Sequence, residues 1–149
     1  MEPQASNRPH IVLIEDNASD VYLIRLALEQ SGIDCDLTNF QSGADAVRSL
    51  FPTASDASAP RKIDLILLDL NTPCCDGFEV LARIRAEDAL RKVPVAIVTS
   101  SVSRTDKERA ASMGATAYLE KPTSLSEFLD NIGQGVKKLL STGRTLAAG

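Results

Sequence analysis

The chain has no tryptophan, one histidine and three cysteines among its 149 residues, so it lacks most of the side chains from which zinc and histidine-based sites are built. A lone imidazole, His10, cannot supply a di-histidine metal site, and it stands at the start of an apolar run rather than beside a nucleophile. Cys35, Cys74 and Cys75 make neither a CxxC pair nor an even framework, which leaves reduced thiols as the expectation. Charge of one sign is never concentrated. With 16 basic and 20 acidic residues and a net charge of -4, there is no basic arm for DNA and no acidic tail. No apolar segment reaches the roughly 18 residues that a membrane span needs, and the first nine residues have no apolar signal core. These absences describe a soluble chain, expected in the cytoplasm. A hydrophobic content of 44% over this length suffices for one domain with an ordinary core.

What is present centres on residues 63–77. Leu65 to Leu68 is a continuous apolar run, as expected of a strand buried on both faces of a parallel sheet, and it ends in Asp69. Asn71, Pro73 and Gly77 then make a turn. Open α/β sheets place ligands at this carboxyl edge. Taken alone, Asp69 is equally well read as a turn residue that bonds its own backbone.

The rest of the chain repeats the pattern. Residues 1–9 read as a flexible tail. His10 to Ile14 is a strand ending in Glu15 and Asp16, and Asn17 to Asp20 supplies capping residues for a helix that Ser31-Gly32 stops. Asp34 to Phe40 suits an edge strand. Ser42-Gly43 opens a short helix ended by Pro52, and Thr53 to Pro60 reads as an exposed loop. A helix with one apolar face follows Gly77, and Val93 to Val98 is a buried strand ending in Thr99, Ser100 and Ser101. Ser103 to Met113 is a polar helix with little to bury. Ala117 to Glu120 is a short strand ended by Lys121-Pro122, and Thr123-Ser124 caps a last helix reaching Leu140, with residues 141–149 as a second flexible tail. Strand and helix alternating five times imply one doubly wound parallel sheet with helices on both faces.

Four strand ends on one edge are expected to bring together Glu15, Asp16, Asp69, Thr99 and Lys121. Clustered carboxylates are relieved by protonation or by a divalent cation, and hard oxygen donors without thiol or imidazole favour Mg²⁺. A cation, a lysine and a hydroxyl converging on a carboxylate meet the needs of phosphoryl transfer, with that carboxylate as a nucleophile giving an acyl phosphate.

From Ile11 to Leu140 the sequence resembles the receiver domains of two-component response regulators. The resemblance implies strand order 2-1-3-4-5 over residues 10–140, Asp69 as phosphoacceptor, and a Mg²⁺ site of Glu15, Asp16, Asp69 and the Asn71 backbone carbonyl. It further implies Lys121 and Thr99 as the partners of the phosphoryl group, Thr99 and Tyr118 as a switch pair, and a cis peptide before Pro122. The Glu-Asp-Asn start, the long loop before the third strand and the stand-alone length are most similar to small regulators paired with bacterial phytochromes. A sensor histidine kinase is then the expected partner, with a downstream protein and a second copy of the chain as others, in a phosphorelay without DNA or membrane. Cys74 and Cys75 fill turn positions where that family varies.

Two other readings remain at this point. Asp69 to Thr72 faintly resembles the opening motif of haloacid-dehalogenase phosphatases, although Asn71 stands where that motif wants a second aspartate as general acid. A phosphorylation-independent interaction module is the third.

Overall fold

Five parallel strands form one sheet in the order β2-β1-β3-β4-β5. The computed structural model describes residues 8–50, 62–72 and 76–148, with side chains through Ser141. The strands are β1 (His10–Ile14), β2 (Asp36–Phe40), β3 (Leu65–Leu68), β4 (Val95–Thr99) and β5 (Ala117–Glu120). They alternate with α1 (Ala18–Gln30), α2 (Gly43–Leu50), α3 (Gly77–Ala86), α4 (Arg104–Ser112) and α5 (Leu125–Ala148). Residues 1–7 of the tail expected at 1–9, the loop expected at Thr53 to Pro60, and Pro73, Cys74 and Cys75 fall outside the described residues.

The continuous apolar runs have a direct cause. β1, β3 and β4 are buried along their whole length, whereas β2 and β5 at the edges are only half-buried. Side chains alternate between faces. Val12, Ile14, Ile66, Leu68, Val95 and Ile97 pack in one core with Phe78, Leu81 and Ile84 of α3. Ile11, Leu13, Leu65, Leu67, Ala96 and Val98 pack in the other with α1 and α5, through Ile24, Leu28, Phe128 and Ile132. A polar residue inside any of the three central strands would face one core or the other, so apolar residues fill both registers.

Caps fix where helices begin. Asn17 accepts from the Asp20 N–H, Asp76 from the Phe78 N–H and Ser103 from the Asp106 N–H, so α1, α3 and α4 each start at a side-chain oxygen. Besides small shifts in element boundaries, two features differ from the sequence reading. α5 continues as helix to Ala148 rather than ending at Leu140, consistent with the absence of proline beyond Pro122. No peptide bond among the described residues is cis, the Lys121-Pro122 bond included.

Arg85 explains itself only in three dimensions. It recurs with the apolar face of α3, and its guanidinium donates to the carbonyls of Val93 at 2.7 Å, Gly114 at 2.9 Å and Arg91 at 3.0 Å. These bonds tie α3 to the segments that lead into β4 and β5. Burial pulls its pKa below the ordinary arginine value.

Candidate functional site at the carboxyl edge of the sheet

The sheet ladder runs one residue past the strands and so places the polar residues that end them. The Glu15 N–H donates to Phe40 O at 2.9 Å, Asp69 N–H to Ile14 O at 3.1 Å, and Lys121 N–H to Thr99 O at 2.8 Å. Each is thus anchored by its neighbour strand while its side chain reaches beyond the core. Asp69 makes the first bend itself, its Oδ1 accepting from the Asn71 N–H at 3.1 Å. Behind it the chain returns closely. A Cβ on Gly77 would lie 2.6 Å from Leu70 Cα and 3.0 Å from Asp69 O, so glycine is what allows α3 to begin against the backbone of Asp69 and Leu70.

Glu15, Asp16 and Asp69 each offer an oxygen within 4.8 Å of the others. Glu15 is 1% exposed, Asp69 is buried and Asp16 is open to solvent. Three carboxylates at this spacing could hold a hard divalent cation, and no thiol or imidazole joins them among the described residues. Burial, opposed by Lys121 and reinforced by the charge of Asp69, pushes the Glu15 carboxyl up to about 7. His10 stands at the other end of β1, where its ring bonds Thr38 Oγ1 and Lys62 O.

Lys121 is the counter-charge. Its ammonium donates to Glu15 Oε1 at 2.6 Å, to Asp20 Oδ2 at 2.8 Å and to Asp69 Oδ2 at 3.4 Å. Burial would lower its pKa, but the bonds to Asp20 and Glu15 and the charges of Asp69 and Glu15 outweigh that and leave it raised. Asp20 is the residue that sequence reasoning left out of the site. Its position in the first turn of α1 reads as part of the cap, yet a carboxylate one turn into a helix that leaves an acidic strand end lies on the same edge. Beside Lys121 a groove of about 340 Å³ opens, bounded by Asp20, Leu23, Pro122 and Phe128.

Thr99 and Tyr118 meet at one loop residue. Thr99 is fully buried, and its hydroxyl oxygen accepts from the Ser101 N–H at 3.2 Å. The half-buried Tyr118 donates its hydroxyl to Ser101 O at 3.1 Å. Ser101 Oγ in turn donates to Asp106 Oδ2 of α4 at 2.9 Å. Of the residues expected from sequence, Glu15, Asp16, Asp69 and Lys121 are thus in one cluster. Thr99 is joined to Lys121 through the ladder, Tyr118 lies one loop away, and Asn71 follows Asp69 on the bend.

Comparison with known proteins agrees with this geometry. The response regulator receiver domain family matches residues 11–133. Response regulator Rcp1 of Synechocystis sp. is 33% identical over 144 residues, covering 96% of this chain and 97% of its own. The crystal structure of the phosphorylated cyanobacterial phytochrome response regulator RcpA superposes with a TM-score of 0.79 at 33% identity, covering 91% of this chain and 96% of that one. The Mn²⁺-bound form of Rcp1 gives 0.80 at 32% identity, with coverage of 90% and 96%. Five strands in this order, an acidic edge facing one lysine, and a family match across nearly the whole fold make the chain a member of the response regulator receiver domain family.

Proposed function

We propose that this receiver domain is a phosphorylation switch that takes a phosphoryl group onto Asp69 from a sensor histidine kinase in a Mg²⁺-dependent reaction. The observation that carries the proposal is the convergence of Glu15, Asp16 and Lys121 on the buried Asp69 carboxylate. Its support from relatives is that RcpA has been crystallised phosphorylated and Rcp1 with Mn²⁺. In this chain Glu15, Asp16, Asp69 and the backbone carbonyl of Asn71 would hold the ion. A bound Mg²⁺ supplies positive charge against the oxygens of the transferred group. An Asp69 oxygen then bonds to phosphorus as the bond from phosphorus to the donor imidazole breaks, giving an acyl phosphate. Lys121, already 3.4 Å from Asp69 Oδ2, meets one of the new oxygens, and the Thr99 hydroxyl meets another.

That last contact links the site to an output. Turning the Thr99 hydroxyl toward the phosphoryl group takes it from the Ser101 N–H, and Tyr118 is bonded to the carbonyl of the same residue. The neighbouring α4 is lightly anchored, Ala110 being its one fully buried side chain, so its placement can follow the loop. The face so altered is where a downstream protein or a second copy of the chain would read the signal. Similarity to Rcp1 and RcpA makes a phytochrome kinase the first candidate donor. None of the described helices is long and apolar enough to cross a membrane, and we place the exchange in the cytoplasm.

Incubating the chain with acetyl phosphate tests the cation dependence. Labelling is expected with Mg²⁺, to stop with excess chelator, and to slow by about tenfold or more in Asp16→Ala, the scale of losing a ligand that serves a metal site. Undiminished labelling in chelator contradicts the proposal.

A further inference from the structure

Asp20 has no part in the roles the receiver reading assigns, yet its carboxylate lies nearer to Lys121 than the acceptor does, at 2.8 Å against 3.4 Å. An ammonium has three N–H donors, and Glu15, Asp20 and Asp69 take one each. The bond toward Asp69 is the longest of the three, so a short bond to a phosphoryl oxygen on that residue draws the ammonium away from one of the other two. Asp69 is the group being modified, and the Glu15 side chain is almost wholly enclosed, at 1% exposure. Asp20, at 27%, faces the groove, where water can replace the lysine. Its backbone is fixed, because its N–H donates to the Asn17 cap at 2.9 Å, so the carboxylate reaches Lys121 from a set position.

We propose that Asp20 is a positioning residue that holds Lys121 back toward the groove in the unphosphorylated protein, so that breaking the Asp20–Lys121 pair is part of the barrier to phosphorylating Asp69. The inference rests on the receiver reading for its kinetic consequence and on the three distances alone for the pairing. The pair forms again when the phosphoryl group leaves, so it also favours the unphosphorylated state. Two simpler roles would look different in experiment. A carboxylate in the first turn of α1 that acts only on the helix dipole affects stability and not rate. A charge that only repels an anionic donor at the mouth acts in proportion to the donor's charge and fades with salt.

The test compares wild type, Asp20→Asn and Asp20→Glu in two measurements. The first is the rate of phosphorylation by phosphoramidate and by acetyl phosphate with Mg²⁺, read by intact mass. The second is the ammonium ¹⁵N NMR signal of Lys121 in the unphosphorylated, Mg²⁺-free chain. Asp20→Asn is expected to raise the rate with both donors by about two- to fivefold, the scale of one partly exposed ion pair, and to shift or broaden the Lys121 signal. Asp20→Glu should restore both toward wild type. An unchanged or lower rate in Asp20→Asn overturns the proposal. So does a gain that is confined to acetyl phosphate and lost in high salt. Wild type labelled by neither donor sinks the receiver reading and the kinetic role with it, whereas an unchanged Lys121 signal in Asp20→Asn sinks the pairing and its kinetic role and leaves the receiver reading standing.

Discussion

Glu15 carries the clearest electrostatic consequence at the scale of single residues. Its carboxyl is buried, and burial raises its pKa from 4.5 to about 7 even though Lys121 opposes the shift. A folded pKa above the unfolded one means that the native state holds the proton more tightly. The associated stability is therefore fully present below about pH 4.5 and is lost as pH rises through about 7. Lys121 does not add to that slope, because its raised pKa keeps it charged throughout the window. A cation at the site must displace the Glu15 proton, so Mg²⁺ should bind more tightly as pH rises from about 5.5 to 8, with proton release near neutrality. Thermal melts across that range should show the Mg²⁺-free chain losing stability toward high pH and Mg²⁺ restoring it. Melting curves whose Mg²⁺ increment does not change with pH would mean that Glu15 is not protonated in the free site. The same residue marks what sequence could and could not reveal. That Glu15, Asp16 and Asp69 share an edge follows from apolar runs that each end in a carboxylate. That Glu15 is enclosed while Asp16 is open does not, because it depends on β2 packing alongside and on Lys121 arriving from across the sheet. Asp20 was missed for a related reason: a local explanation, the cap of α1, was sufficient and concealed a partner 101 positions away.

Among the elements, α4 and the loop before it are where motion is expected. The helix is polar, as its sequence indicates, and is held at its edges by specific contacts rather than by a broad apolar face. Arg109 lies over the Phe78 ring at 4.0 Å, Ser101 binds Asp106, and Lys107 sits 3.6 Å from Glu120 of β5. Individually such contacts contribute little, on the order of 1 kcal/mol or less where exposed, so a rearranged Ser101 can shift the balance. Hydrogen exchange with and without beryllofluoride and Mg²⁺ should change across residues 101–120, and Thr99→Ala should suppress that change while leaving phosphorylation intact. A response confined to the turn after Asp69 would show that Thr99 and Tyr118 do not transmit the signal. The elements themselves were largely legible, since two-sided burial makes β1, β3 and β4 read as unbroken apolar runs and capping residues mark α1, α3 and α4. Boundaries were less so. β4 begins at Val95 rather than Val93, where Val93 O is taken by Arg85, and β2 begins at Asp36, whose N–H pairs with Pro9 O. Neither partner is visible from the local sequence.

At the scale of the whole molecule, the sheet order brings the ends of β1, β3 and β5 to one edge, and the two cores hold them there. The apolar residues of β1 and β3 are shared between those cores, so β3, which leads into Asp69, cannot shift without disturbing both. This rigidity suits the proposed function, in which one carboxylate is presented in line with a donor while the periphery moves. The central claim is that Asp69 is that carboxylate. It is tested most directly by treating the chain with acetyl phosphate and Mg²⁺, reducing the acyl phosphate with borohydride, and locating the product by peptide mass spectrometry. Reduction of an aspartyl phosphate leaves homoserine, and the account predicts homoserine at position 69 in wild type, with no labelled residue in Asp69→Asn. Homoserine at Asp16 or Asp20, or wild-type labelling retained in Asp69→Asn, would contradict it.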